Sequence, residues 1–229
     1  MENLPTGKTA TDIAREVGRA IVSAIPAAGG PLQVAFENIF TSPIEKRKEA
    51  WLNQLVDVIN EVQERVSEIT PESLAENDAF VTIVMQASQV AIRNHQQAKL
   101  EALRNAVLNA ALPNPPHEDE QMIFLRLIDQ LTPWHLRVLS VLNDPTQWME
   151  RNNIPNPCWG MGGASTVLEH CLPDLQGQRE TYDQIVLDLQ GQGMLGQGQF
   201  LHVMMTGGGM VASRTTERGR RFIKFISAP

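Results

Sequence analysis

The sequence predicts a mainly α-helical protein, in which an N-terminal helical bundle precedes a small α+β domain. Apolar residues recur with a helical period of 3.6 over long stretches of the first half. A cluster of prolines at residues 112–116 interrupts this pattern, and the chain after it is richer in glycine, proline and glutamine. Hydrophobic residues make up 42% of the 229, enough for packed cores, and aromatic residues only 5%, so the cores should be aliphatic.

Charge and cysteine content exclude several classes of protein. The chain carries 19 basic and 26 acidic residues, a net charge of −7, which argues against a protein that coats nucleic acid non-specifically. Two cysteines, Cys158 and Cys171, are too few for a disulfide framework or a four-cysteine zinc site. We see neither a secretory leader nor an apolar stretch long enough to span a membrane, and therefore expect a soluble, cytoplasmic protein.

The first 40 residues predict two helices joined by a tight corner. Residues 11–25 have helical periodicity that ends at Pro26, and Gly29-Gly30-Pro31 precedes a short apolar helix at residues 32–40. The helix at residues 32–40 is apolar on nearly all sides, which favours a buried corner of the bundle for the hairpin from Ala20 to Phe40. The alternative is a membrane-active hairpin that is released on activation.

Two long helices should complete the bundle, which we assign to residues 1–111. Ser42 and Pro43 provide an N-cap and a first-turn proline for a helix that extends to about Glu68. A second helix is predicted from Asp78 to Ala111; no proline interrupts it, although it is long enough to kink near Asn94.

Residues 112–116 form the predicted linker between two domains. Pro113, Pro115 and Pro116 cannot continue a helix and favour an extended spacer. Residues 117–229 then form the second domain, with helices at 118–130, 134–142, 165–172, 179–189 and 217–226. Two strands at 200–205 and 210–215 should surround the glycine run Gly207-Gly208-Gly209, as in a β-hairpin.

The order of three helices, a hairpin and a closing helix is the layout of a winged helix. The segment from Ser213 to Phe222, with Thr216 and Gly219 at the start of the last helix, resembles the Thr-x-x-Gly turn of multiple-antibiotic-resistance-type winged-helix regulators. Thr216 should cap that helix, and Gly219 should allow it to pack closely on the preceding chain. The resemblance covers about residues 130–226 and implies DNA binding through the third helix.

The charges of the third helix do not suit DNA. Residues 179–189 carry Glu180, Asp183 and Asp188 against the single Arg179, and the acids would repel phosphates. The one basic cluster lies at the C-terminal end, where it is either a solvated helix face or a contact for nucleic acid or an acidic partner. Its members are Arg214, Arg218, Arg220, Arg221 and Lys224.

The N-terminal region resembles a group of uncharacterised bacterial helical proteins and, in its overall organisation, abortive-infection-type defence proteins. The similarity rests on a few short motifs and implies a role in antiviral defence. These are Ile25-Pro26, Gly29-Gly30-Pro31, Ser42-Pro43, Glu45-Lys46-Arg47 and Trp51.

No motif in the sequence indicates an enzyme, a cofactor or a metal site. The five histidines are scattered, and none has a zinc-type spacing with another histidine or a cysteine. His170 and Cys171 are adjacent, so their side chains should diverge on a helix. The segment from Gly160 to Ser165 is only loosely similar to a phosphate loop, because it lacks the Lys-Ser/Thr ending and a preceding strand.

We therefore expect a non-enzymatic binding or regulatory protein without a cofactor. The helical region would mediate self-association or contact with a protein partner, and the winged helix would act as the recognition module. A DNA-binding transcription regulator is one alternative, and a membrane-active effector that acts through residues 20–40 is the other.

Overall fold

The computed structural model describes residues 42–229. The helices predicted at 11–25 and 32–40, together with the candidate membrane-active segment 20–40, lie outside the described residues. About two-thirds of the described residues are helical, in eleven α-helices with one two-stranded sheet, which confirms the mainly α class. None of these helices is long and apolar enough to cross a membrane.

The described residues form two compact units. The first comprises residues 42–130 together with Phe225–Pro229, and the second comprises Leu131–Lys224. The predicted linker at residues 112–116 joins two helices inside the first unit, and the division between the units follows Gln130. Independent folding on either side of residues 112–116 stays a prediction.

Between residues 42 and 130, the first unit contains five helices. They are α1 (Ser42–Arg65), α2 (Pro71–Ala75), α3 (Asp78–Arg93), α4 (Gln97–Ala111) and α5 (Glu118–Gln130). Its aliphatic core includes Val58, Ile83 and Leu103, each fully buried. The buried indole of Trp51 on α1 donates a 2.8 Å hydrogen bond to the Ser88 hydroxyl on α3.

The prediction of a single helix from Asp78 to Ala111 is wrong, because α3 ends at Arg93 and α4 begins at Gln97. Asn94 has an extended backbone, and its side-chain amide donates to the Val90 carbonyl oxygen at 2.8 Å. The asparagine side chain thus bonds to a carbonyl that a continuing helix would pair with a backbone amide. The predicted end of the first long helix was also too late, since α1 ends at Arg65.

The second unit contains shorter helices and the small sheet. The strands β1 and β2 are antiparallel, with Met161 opposite Thr206 and Gly162 opposite Met205. The last helix begins in this unit, and its final two residues belong to the first. In chain order the elements are α6 (Pro133–Asn143), α7 (Pro145–Arg151), β1 (Met161–Gly162), α8 (Ala164–Cys171), a 3₁₀ turn (Pro173–Leu175), α9 (Arg179–Gly191), β2 (Met205–Thr206), α10 (Gly207–Met210) and α11 (Glu217–Ile226).

The hairpin predicted around the glycine run is wrong. Gly207 begins the short helix α10, which the Thr206 hydroxyl caps by accepting a hydrogen bond from the Gly209 amide at 3.3 Å. Gly207 lies against the backbone of Trp159, where any Cβ atom would overlap the carbonyl oxygen. The glycine therefore permits a close approach between distant segments and does not turn a hairpin. The winged-helix arrangement is not confirmed.

Candidate functional site

Helix α11 carries most of the basic residues that the sequence singled out. The Thr216 hydroxyl accepts a 3.0 Å hydrogen bond from the Gly219 amide, which confirms the predicted cap. Gly219 is buried against the Met194 carbonyl oxygen, as the predicted close approach requires. Phe222 and Phe225 are buried, whereas Arg220, Arg221 and Lys224 are exposed on the other side of the helix.

Arg214 differs from the other members of the basic cluster because its side chain is bound within the second unit. One terminal nitrogen, Nη2, donates to the Gly209 carbonyl oxygen at 2.5 Å and lies 3.1 Å from the Met205 sulfur. The guanidinium also lies over the Phe200 ring, 5.3 Å from its centroid. These contacts give Arg214 a structural role that its position beside other arginines did not indicate.

Arg220 and Arg221 lie near the same carboxylate. Arg220 donates two hydrogen bonds to the Glu217 carboxylate, at 2.8 and 3.2 Å, and a third to the Thr215 carbonyl oxygen at 3.0 Å. A nitrogen of Arg221 lies 4.0 Å from the same carboxylate. The hydrogen bond and positive charge of Arg220, with a smaller contribution from Arg221, lower the pKa of Glu217.

The outer surface of α11 nevertheless keeps a positive excess. About half of each of the Arg220 and Arg221 side chains remains exposed, and Lys224 is exposed four residues after Arg220. Arg218 is half-buried one turn before Arg221. Four basic residues against the single Glu217 leave the helix with a charge of +3. This surface, Arg218–Arg220–Arg221–Lys224, is called the basic face below.

Helix α9, the third helix in the predicted winged helix, is acidic, in contrast to α11. Its acids hold two histidines from distant parts of the sequence: His202 Nε2 lies 2.7 Å from Asp183, and His135 Nε2 lies 3.2 Å from Asp188. Glu180 is exposed at its N-terminal end. No local pattern indicates these pairs, because the partners are 19 and 53 residues apart in the chain.

The glycine-rich segment before α8 is not arranged to hold a phosphate. The amides of Ala164 and Ser165, at the start of α8, donate to the Phe200 and Leu201 carbonyl oxygens at 3.5 and 2.9 Å. Gly163 lies so close to Leu201 that a Cβ atom would overlap its carbonyl oxygen. The donors that would bind a phosphate are thus already paired with backbone.

His170 and Cys171 also diverge, as predicted. The His170 ring lies edge-on to Trp159, with centroids 5.3 Å apart, and its Nε2 lies 2.8 Å from the Pro155 carbonyl oxygen. Cys171 is buried, and burial raises the pKa of its thiol to about 11, so it is protonated at neutral pH. Among residues 42–229, no three His, Cys, Asp or Glu side chains are grouped as a metal ion would require.

No protein family, curated protein or solved structure matches the chain. A functional conclusion therefore rests on the surfaces of the chain itself.

Proposed function

We propose that the protein is a non-enzymatic binding protein whose basic face contacts an acidic segment of a protein partner. The proposal rests on one observation: α11 buries its phenylalanines and carries a net charge of +3, with Arg220, Arg221 and Lys224 exposed. A fixed helix with several basic side chains on one side is a preformed complement to a negatively charged surface. The helical first unit would provide self-association or a second partner contact.

The charges favour a protein partner over DNA. The whole chain carries a net charge of −7, and α9 adds three acids in the same unit as the basic face. Binding to duplex DNA depends on several phosphate contacts and on a surface without competing acids. A local acidic patch on a protein needs only the few cations that α11 offers.

Fluorescence anisotropy with two labelled probes tests the proposal. The first probe is a short poly-glutamate peptide and the second a short DNA duplex, each titrated with the full chain at low and moderate salt. We expect the peptide to bind, and the joint replacement Arg218→Ala, Arg220→Ala and Arg221→Ala to weaken binding and reduce its salt dependence.

A matched control removes charge elsewhere. Arg126→Ala with Arg151→Ala removes two exposed guanidinium groups outside α11 and should leave peptide binding unchanged. Circular dichroism should show that all variants remain helical. Unchanged binding by the triple variant would refute the assignment of the basic face. Salt-sensitive binding of the duplex, but not of the peptide, would favour the transcription regulator.

A role in bacterial antiviral defence is a further part of the proposal, supported by the resemblance of the N-terminal motifs. Two of those five motifs, Ile25-Pro26 and Gly29-Gly30-Pro31, precede residue 42 and lie outside the described residues. Phage challenge of cells that express the chain tests this role, with the triple α11 variant as a comparison. Equal phage yields with and without the intact chain would contradict it.

A further inference from the structure

A groove of about 370 Å³ lies in the second unit, between α9 and residues 198–203. Val186 and Phe200 are buried at its base. Leu187 on α9 and Val203 on the opposite wall also line it, and they are 59% and 45% exposed. Most large apolar residues of a small domain are buried, so two exposed ones that line one groove form an apolar surface open to a ligand.

Hydrogen bonds hold the two walls of the groove in place. The Gln190 side chain, on α9, donates to the Gly198 carbonyl oxygen at 2.9 Å. The Leu201 carbonyl oxygen accepts the Ser165 amide at 2.9 Å, which ties the second wall to α8. The 2.7 Å contact between His202 and Asp183 links the two walls a second time. A groove fixed in this way costs a ligand little ordering energy when it binds.

Acidic side chains surround the apolar part of the groove on the α9 side. Helical spacing puts Glu180 and Leu187 on one exposed stripe, and Asp183 lines the groove. Asp188 follows Leu187 in the sequence, and its carboxylate lies 3.2 Å from His135 Nε2. Against these three acids, α9 carries only Arg179, which lies 3.5 Å from the Asp183 carboxylate. The surface around the exposed leucine is therefore negative.

From the exposed leucine and the acids around it, we infer that this groove binds a protein segment that presents one bulky apolar side chain flanked by lysine or arginine. The apolar side chain would contact Leu187, Val203 and the buried base, and the basic residues would lie beside Glu180 and Asp183. This site goes beyond the proposed function, since it is a different surface that takes a partner of the opposite charge.

A defined peptide tests the inference on the full chain. The probe is a labelled peptide, Lys-Lys-Ala-Leu-Ala-Lys-Lys, and binding is followed by fluorescence anisotropy. Leu187→Ser should weaken binding at least about tenfold, as should a serine in place of the central leucine of the peptide. Met161→Ser is the matched control, because Met161 is 71% exposed in the same unit and does not line the groove; it should bind like the parent.

Charge variants test the second half of the inference. Glu180→Lys should weaken binding of the basic peptide, and a peptide with glutamates in place of the lysines should not bind. The inference is overturned if the parent does not bind the basic peptide, if the acidic peptide binds equally well, or if Leu187→Ser and Met161→Ser cause equal losses. The triple α11 variant should still bind the basic peptide, so a failure of this inference can be told apart from a failure of the proposal for the basic face. Loss of basic-peptide binding in that variant would overturn the assignment of the groove as the binding site.

Discussion

Gly219 on α11 packs directly against the carbonyl oxygen of Met194. A Cβ atom at this position would overlap that oxygen and lie only 3.1 Å from the carbonyl carbon, and both atoms belong to the backbone. A backbone group cannot move aside as the end of a flexible side chain can. The amide of Gly219 also completes the cap with Thr216, and the Thr216 hydroxyl donates to the Gly193 carbonyl oxygen at 2.6 Å. The glycine thus fixes how the last helix lies on the chain that follows α9.

Replacement of this glycine should destabilise the protein. Gly219→Ala must displace α11 or the chain at Met194, and we expect a loss of about 1–3 kcal/mol in the free energy of unfolding. Gly208→Ala is the control, because no atom of residues 42–229 lies within 4 Å of the position of its Cβ. Urea denaturation of the two variants measures the difference. Equal stability of Gly219→Ala and the parent would mean that the two segments separate without cost.

Local patterns predicted much of the fold. The bounds of α5 and α11 agree with the sequence prediction, because apolar periodicity and the Thr216 cap are properties of neighbouring residues. The prediction missed α7, although Asp144 and Pro145 provide an N-cap and a first-turn proline that could have indicated it.

Contacts between segments that are distant in the sequence explain the wrong hairpin and the missed groove, whereas the break at Asn94 is local. A glycine run is compatible with a hairpin turn or with a close approach, and only the distant backbone of Trp159 decides between them at Gly207. Arg214 similarly belongs to a charged cluster in sequence, yet its contacts are with Phe200 and Gly209. The groove beside α9 depends on Leu187 remaining exposed, which helical periodicity alone does not show.

Low pH should destabilise the first unit, because it protonates the Glu61 carboxylate. Burial raises the pKa of this carboxyl, but hydrogen bonds and positive charge from Arg104 and Arg65 outweigh it, so the pKa is lowered from the ordinary value of 4.5. The carboxylate lies 2.6 Å from Arg104 and 2.9 Å from Arg65. The Glu61 carboxyl therefore binds a proton less readily in the folded state than in the unfolded state. Its ion pairs stabilise the fold fully above pH 4.5, and this stabilisation is lost as the pH falls through the lowered pKa.

Glu61→Gln should therefore reduce stability at neutral pH and flatten the fall in melting temperature as pH is lowered. Glu64→Gln is the control, because Glu64 is an exposed acid on the same helix. Thermal unfolding followed by circular dichroism from neutral to acidic pH compares the two. If the melting temperature falls equally steeply with decreasing pH in Glu61→Gln and in the parent, the ion pairs of Glu61 contribute nothing to the pH dependence of stability.

Limited proteolysis should cleave the chain at residues 112–116. Pro113, Asn114 and Pro115 are exposed, and no helical hydrogen bonds protect this backbone. A protease of broad specificity should yield a helical N-terminal fragment and a C-terminal fragment of about 12 kDa, which mass spectrometry identifies. First cleavage near Leu131, where the compact units divide, would place the boundary there instead. Resistance at both positions would mean that the chain unfolds as one unit.

Arg214 and Arg221 should behave differently despite their proximity in sequence. Arg214→Met keeps an apolar side chain near Phe200 but removes the donor to the Gly209 carbonyl oxygen, and should lower the free energy of unfolding by about 1–2 kcal/mol. Arg221→Met should leave stability nearly unchanged, because its side chain is about half exposed. In the poly-glutamate assay, at a temperature where both variants are folded, the order should reverse: Arg221→Met binds more weakly and Arg214→Met binds like the parent. If Arg214→Met loses binding without losing stability, Arg214 belongs to the basic face after all.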